Sequence, residues 1–216
     1  QYDIPIQSHC SEGDWEHGYA MTHFNMTDAQ VLDQFGLLTN RSVMAHATVL
    51  PAEDIDLFNL RGTAIAHCPI SNAFFGNAVL PVKRILKNGN KIGLGTDISG
   101  GYSPSLYRNM QQSVIASRML EDGVNQKIVA SERGVQDSRI SIKNAFYLAT
   151  LGGAKALELN AGAIQVGCKA DFQIINKRTS IITMAPEDIF EQLMYQTERH
   201  DIKQVFVGGK LVYQNE

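Results

Sequence analysis

The chain has 216 residues, of which 44% are hydrophobic and 19% are charged, and its formal net charge is -3. This length suffices for one large domain, or for a domain with an appendage, and the apolar fraction suits a globular protein with a buried core. A mildly acidic chain has no general electrostatic attraction to nucleic acid or to anionic lipid, and no apolar run is long enough to cross a bilayer. We therefore expect neither nucleic acid nor a membrane as a partner.

The chain has three cysteines, Cys10, Cys68 and Cys168. Their odd number and wide spacing are not typical of a disulfide framework or of a CxxC zinc pair. We therefore expect free thiols in a reducing compartment and a cytoplasmic location. The first nine residues lack the basic and apolar regions of a signal peptide and also an initiator methionine, so we expect that residues precede Gln1.

Short apolar runs alternate with helical patterns in the first hundred residues. Strands are predicted at 4–9, 42–46, 63–67 and 91–96. Helices are predicted at 27–35, capped by Thr27 and ended by Gly36; from Pro51 to a stop at Gly62; and at 78–86, closing near Gly89. Alternation of this kind predicts right-handed βαβ units and a parallel sheet.

The second half of the chain changes character. Helices are predicted at 104–120 and 142–157, and the polar stretch 121–138 between them predicts a loop. A strand at 170–175, a helix at 186–195 and a hairpin at 205–213 with a Gly-Gly turn follow. We expect an α/β part over 1–160 and a separate small β unit over 161–216.

Ionisable side chains stand at the ends of the predicted strands. Three strands end in a histidine, namely His9, His46 and His67, and Asp97 follows the fourth. The carboxyl ends of parallel strands meet at one rim, so these side chains should lie close together. A single strand-end histidine is commonly a structural hydrogen-bonding group, but recurrence on successive strands favours a site. Imidazole nitrogen and carboxylate oxygen suit Zn or Fe.

Glu12 stands three residues after His9. A carboxylate at this position could carry protons between a metal-bound water and a leaving amine. The alternative is that Glu12, together with Ser11, only caps a following helix. The neighbouring His9 favours the proton-carrying role.

Six motifs occur in a fixed order over nearly the whole chain. They are QSHCSE at 7–12, MAH at 44–46, IAHCPISN at 65–72, KIGLGTDISGGY at 91–102, ATLGGA at 149–154 and VGCKAD at 166–171. This series resembles the amidohydrolase superfamily and, within it, the guanine deaminases. The SGG after Asp97 separates the chain from the adenosine-type and triazine-type members, which usually carry an Asn-rich loop at that point.

The resemblance implies a fold and a set of residue roles. The fold would be the C-terminal portion, about strands 5–8, of a TIM-like (β/α)8 barrel, with the C-terminal part of a small β-sandwich. One divalent metal, Zn or Fe, would be the cofactor. The implied roles are metal ligand for His9, proton shuttle for Glu12, holder of the water or the substrate for His46, metal ligand and general base for Asp97, and pocket lining for His67, Asn72 and Ser99.

The chain departs from the family pattern in one respect, because it contains no HxH motif. In the family this motif stands on the first barrel strand and supplies two more metal ligands. We therefore expect strands one to four, and an arginine that holds the purine, to lie outside this chain, and the chain by itself to be inactive. An N-terminal half, or the edge strands of another copy, would close the barrel. By resemblance, a homodimer is also expected.

The implied reaction is hydrolytic deamination of a small nitrogen heterocycle, with guanine converted to xanthine and ammonia. Two alternatives stay open. The chain could belong to another amidohydrolase, such as a triazine chlorohydrolase or a cytosine or related deaminase. It could also be a non-catalytic α/β scaffold, because a fold does not by itself fix a function.

Overall fold

The computed structural model describes residues 4–177 and 183–215. Residues 1–3 of the expected α/β part, and residues 178–182 and 216 of the expected β unit, lie outside the described residues. Four parallel strands form one sheet in the order β1-β2-β3-β4, and three antiparallel strands form a second in the order β5-β6-β7. Within the described part of the chain, no helix has the length and apolar character needed to cross a membrane. The strands are β1 (Ile6–Cys10), β2 (Ser42–His46), β3 (Ala64–His67), β4 (Ile92–Leu94), β5 (Phe172–Ile175), β6 (Ile202–Val207) and β7 (Lys210–Gln214).

Helices cover the parallel sheet and connect its strands. They are α1 (Asp14–Phe24), α2 (Asp28–Gln34), α3 (Ala52–Arg61), α4 (Pro69–Phe74), α5 (Val82–Lys87), α6 (Leu106–Asp122), α7 (Ile142–Tyr147), α8 (Gly153–Ala156) and α9 (Pro186–Gln196). The parallel sheet expected from the sequence is confirmed. The strand at 42–46 has the expected bounds, and the other three differ by one or two residues at an end.

Helix-end signals in the sequence are confirmed at two places. Thr27 forms a capping box with Gln30, in which each side chain accepts from the other residue's backbone N–H at 3.2 Å. Gly62 ends α3 with φ +68°, a left-handed conformation that costs glycine little. Local hydrogen-bonding chemistry therefore fixes these boundaries without help from the rest of the fold.

Two helices were not predicted from the sequence, and the helix expected at 78–86 begins later than expected. Helix α1 shows no continuous apolar stripe: Ala20 is its one buried residue, while Trp15 and Tyr19 are exposed. Helix α4 has only six residues, with Pro69 at its first position. Helix α5 begins at Val82 because Pro81 disfavours helical geometry in the residue before it.

The core lies between the parallel sheet and the helices that cover it. Met44, Ile65 and Ile92 contribute from three adjacent strands, and Phe58 and Leu148 contribute from the helical layer. Each of these side chains is at most 1% exposed. Burial of such side chains removes apolar surface from water, which is the main favourable term in folding.

Two glycines allow the helical segment after α7 to lie directly on β4. A Cβ at Gly93 would lie 2.8 Å from Gly153 Cα, and one at Gly152 would lie 2.6 Å from the Ile92 oxygen. The helix expected over 142–157 is one helical run with a π-helical stretch, Leu148–Gly152, at this contact. Gly152 of the ATLGGA motif, together with Gly93 of β4, therefore serves close packing.

The C-terminal part is a helix and a small antiparallel sheet. Gly208 and Gly209 both have positive φ, as expected for the tight turn of the β6-β7 hairpin. Helix α9 contacts α6, where the Gln111 side chain donates to the Tyr195 oxygen at 3.0 Å. Closure of a barrel, and a division of the chain after residue 160, stay predictions.

We expect Gly152→Ala to destabilise the protein by about 1–3 kcal/mol, the usual cost of overpacking, because the added methyl group meets the backbone of β4. Gly18→Ala is the matched control, since a Cβ at this helical position has no atom within 4 Å; it should be neutral or slightly stabilising. Urea unfolding midpoints measure both changes. Equal midpoints for the two variants would contradict the close contact.

Candidate metal and catalytic site

The backbone bends sharply where the parallel strands end. Ser11, His46 and Asp97 have φ values of 49°, 71° and 47°, in the left-handed region that non-glycine residues rarely adopt. Each of them lies at, or within three residues after, the carboxyl end of a strand. Unusual backbone of this kind occurs preferentially at functional sites.

Hydrogen bonds continue from β1 to β2 beyond the ends of both strands. Ala47 donates its backbone N–H to the Cys10 oxygen at 3.0 Å, and Val49 donates to the Ser11 oxygen at 3.1 Å. The Thr48 hydroxyl donates to the backbone oxygen of Glu12. The chain that carries Glu12 is therefore fixed against the chain that follows His46.

Three side chains converge at this edge of the sheet. Glu12 Oε2 lies 3.2 Å from His9 Nδ1 and 3.6 Å from His46 Nε2. The two imidazole rings meet edge to face, with centroids 4.6 Å apart. One ligand atom from each residue lies within 4.8 Å of the others, and within 4–177 and 183–215 this is the one group of three that could hold a metal ion.

His46 is fully buried, and a neighbouring side chain determines that its Nδ1 carries a hydrogen. Its Nδ1 lies 2.9 Å from Asn72 Oδ1, which can only accept, so Nδ1 carries the hydrogen. The other ring nitrogen, Nε2, is buried and finds no hydrogen-bond partner among the residues that the structure describes. This nitrogen therefore faces Glu12, which fits a site that receives an ion or a polar ligand.

His67 is not a member of this group. The side chain is buried, and its Nε2 contacts the Ser113 hydroxyl of α6 at 3.1 Å. Burial, with a smaller effect of His46, lowers the pKa of His67 from 6.5 to about 3. His67 is therefore neutral at physiological pH.

Asp97 lies after β4 at the same edge of the sheet, but it is not a member of the three-residue group found in the described residues. Its Oδ2 would lie 2.8 Å from a Cβ at Gly100, so this glycine gives the carboxylate room. Burial raises the pKa of Cys68 to about 12, and the charges of Asp97 and Glu12 both act in the same direction. The negative charges of both carboxylates therefore disfavour the thiolate form of Cys68, which lies between β3 and α4.

The other expected pocket residues differ in exposure. Asn72 is buried and holds His46, whereas Ser99 is exposed. Pocket lining by His67, Asn72 and Ser99 stays a prediction. Sequence reasoning missed Asn77 and Ser113, which contact Glu12 and His67. Neither belongs to a pattern that would have singled it out, because each is 46 or more positions from its partner.

Fold and site together define the class of this protein: an α/β chain with a histidine and carboxylate centre at the carboxyl edge of a parallel sheet. Residues 1–212 match the model of the Amidohydrolase family. The chain belongs to this family. The resemblance on which the sequence expectations rested is thereby confirmed.

Deaminases are among the similar proteins. Guanine deaminase of Mus musculus is 36% identical over 227 residues, covering 98% of this chain and 47% of that protein. 5'-Deoxyadenosine deaminase of Methanococcus maripaludis (strain C7) is 30% identical over 213 residues, with the same coverage of 98% and 47%. Guanine deaminase of C. acetobutylicum, solved with guanine bound in its active site, superimposes with a TM-score of 0.80 at 28% identity, over 97% of this chain and 48% of that one. The chain spans about half the length of the curated relatives it matches.

The pKa of His67 predicts a dependence of stability on pH. Between its unfolded value of about 6.5 and its folded value of about 3, the unfolded chain binds a proton that the folded chain does not. We therefore expect the effect of His67 on the free energy of unfolding to be constant above pH 6.5. Below that pH, the free energy of unfolding should fall by at most about 1.4 kcal/mol per pH unit.

Urea titrations of the wild type and of His67→Gln between pH 4 and 7 measure this contribution. The difference in unfolding free energy between the two proteins should shrink as the pH falls, since glutamine does not titrate. A difference that is independent of pH would mean that His67 is not held neutral by its surroundings.

Proposed function

We propose that this chain forms part of a metal-dependent hydrolytic deaminase of a nitrogen heterocycle, with guanine as the substrate and xanthine and ammonia as the products. The observation that carries the proposal is the convergence of His9, Glu12 and His46 at the carboxyl edge of the parallel sheet. Strand ends in α/β folds are where ligands bind and catalysis occurs.

A divalent Zn or Fe ion fits the donor set of this edge. His9 and Asp97 are the proposed ligands, and the ring nitrogen of His46 that has no hydrogen-bond partner among the described residues faces Glu12, beside His9. Imidazole and carboxylate are ligands that both metals accept. When bound, such an ion lowers the pKa of a coordinated water toward neutrality.

The protein groups would divide the proton transfers among them. Asp97 accepts a proton from the attacking water. Glu12, protonated at the start of the cycle, delivers its proton to a ring nitrogen of the heterocycle and then carries the proton of the newly added hydroxyl group to the departing amine. The proton held by Asp97 passes to Glu12 and restores both carboxyl groups. Glu12 suits this role because its carboxylate lies next to both histidines and 24% of its side chain is exposed. His46, whose Nδ1 is held by Asn72, orients the water, and its Nε2 stabilises the developing oxyanion when this nitrogen carries a proton.

Guanine is favoured among the possible substrates by two observations. The mouse guanine deaminase aligns with 98% of this chain at 36% identity, against 30% for the deoxyadenosine enzyme. The Ser99-Gly100-Gly101 sequence, which begins two residues after Asp97, resembles the guanine deaminases, whereas adenosine-type and triazine-type members usually carry an Asn-rich loop at that point. The second candidate within the family is another heterocycle, including a 5'-deoxyadenosine, cytosine or triazine substrate.

Partners and location follow from the same proposal. The partner is a small heterocycle, the enzyme is cytoplasmic, and two copies of it associate. The one alternative from another class is a non-catalytic scaffold that keeps its histidines as packing groups. Metal analysis of the protein at its full natural length separates these readings, because about one transition metal ion per chain is expected only of the enzyme.

The substrate is tested by ammonia release. The protein at its full natural length should release ammonia from guanine and form xanthine, and a chelator should abolish this activity until Zn or Fe is restored. Release from 5'-deoxyadenosine or a triazine, with none from guanine, would keep the reaction class and reject the substrate. No release from any of these would reject both.

Asp97→Ala should lower kcat/KM by roughly 10³-fold or more, since general base catalysis alone contributes about 10²–10⁴-fold and a metal ligand is lost as well. Asp188→Ala is the matched control, because Asp188 is an exposed residue in the first turn of α9. Activity of Asp97→Ala within threefold of this control would remove Asp97 from the mechanism.

A further inference from the structure

The two carboxylate oxygens of Glu12 have different neighbours. Oε2 faces His9 and His46, at 3.2 and 3.6 Å. Oε1 accepts a hydrogen bond from the side-chain amide of Asn77 at 3.1 Å. The amide therefore holds the carboxylate oxygen that is not the nearest one to the two histidines.

Glu12 is held at its main chain by groups that do not orient its side chain. Its backbone N–H donates to Glu16 Oε2 at 2.6 Å, and its backbone oxygen accepts from Thr48. These bonds fix the start of the side chain but leave its torsion angles free. Among the contacts of the carboxylate in the described residues, Asn77 is the one that comes from a side chain that does not titrate.

The segment that carries Asn77 is itself anchored to the site. Asn77 donates its backbone N–H to the Asn72 oxygen at 2.9 Å, and the Asn72 side chain holds His46. Gly76, with φ +71°, turns the chain after α4 so that Asn77 points back toward β1. A Cβ at Gly13 would lie 3.2 Å from Asn77 Oδ1, so the glycine after Glu12 leaves space for this amide.

We propose that Asn77 is a positioning residue for Glu12. Its amide holds Oε1, so that Oε2 stays directed at the space between His9 and His46, where the proton transfers take place. An amide can donate without itself gaining or losing a proton, so it can hold the carboxylate throughout a reaction in which Glu12 gains and loses one. Since Glu12 is the proton shuttle only in the proposed function, this role of Asn77 depends on that function.

Steady-state kinetics on the protein at its full natural length test this role. Asn77→Ala should lower kcat about 10- to 100-fold and change KM less than threefold, because Glu12 acts in the chemical step and misplacement by about 1 Å can cost 10²-fold. Asn77→Asp keeps the shape but removes the donor, so it should be at least as impaired. Asn59→Ala is the matched control, since this exposed asparagine also donates one side-chain hydrogen bond, at the C-terminal turn of α3.

A double-mutant cycle distinguishes positioning from a merely structural role. In the background of Glu12→Gln, Asn77→Ala should lower kcat by less than a further twofold, because the group that it positions no longer transfers protons. A full multiplicative loss in this background, or wild-type kcat in Asn77→Asp, would overturn the proposal.

Crystal structures separate this proposal from the proposed function. If the wild type shows no deamination of any heterocycle, the function has failed, and the question for Asn77 becomes where Glu12 lies. The carboxylate should leave the space between His9 and His46 in Asn77→Ala and keep it in Asn59→Ala. A carboxylate that stays in place in Asn77→Ala would overturn the proposal whatever the activity is.

Discussion

The site depends on the parallel pairing of β1 with β2. This pairing sets Cys10 opposite His46 and His9 opposite Ala45, and two further backbone bonds extend it past the strand ends. By alternation alone, His9 would share a face with Ala45, and His46 would share the other face with Cys10. The left-handed backbone of His46, with φ 71°, interrupts this alternation at the strand end, where its ring meets the ring of His9. Every chemical role proposed for these three residues therefore depends on the register of two short strands together with the bend at the end of β2.

Packing behind the sheet protects this register and supports the polar groups. The buried helices α4 and α6 supply Asn72 and Ser113, each of which satisfies one nitrogen of a buried histidine. Burial of a polar group without such a partner destabilises the fold. These hydrogen bonds therefore offset the loss of water around the two imidazoles and hold the rings in place. The second nitrogen of each histidine has no hydrogen-bond partner among the described residues, and that of His46 faces Glu12.

The sequence was sufficient for the parallel sheet and for the edge at which the site lies. The histidines at strand ends are visible as a pattern because each ends a short apolar run, and Thr27 and Gly62 mark helix ends through local chemistry. Asn77 could not be predicted, because its contact with Glu12 joins positions 65 residues apart and depends on the turn at Gly76. Helix α1 was missed because its apolar residues are largely exposed. The resemblance implied that His9, Glu12, His46 and Asp97 share one site, and the group of three found in the described residues contains the first three of them.

Anomalous diffraction at a metal absorption edge, from crystals of the protein at its full natural length grown with Zn, is the direct test of the proposed metal centre. We expect one bound ion with a nitrogen of His9 and an oxygen of Asp97 both at about 2.0–2.2 Å, and with Glu12 and His46 facing it. An ion bound elsewhere, or one that His9 and Asp97 do not share, would contradict the proposed metal centre.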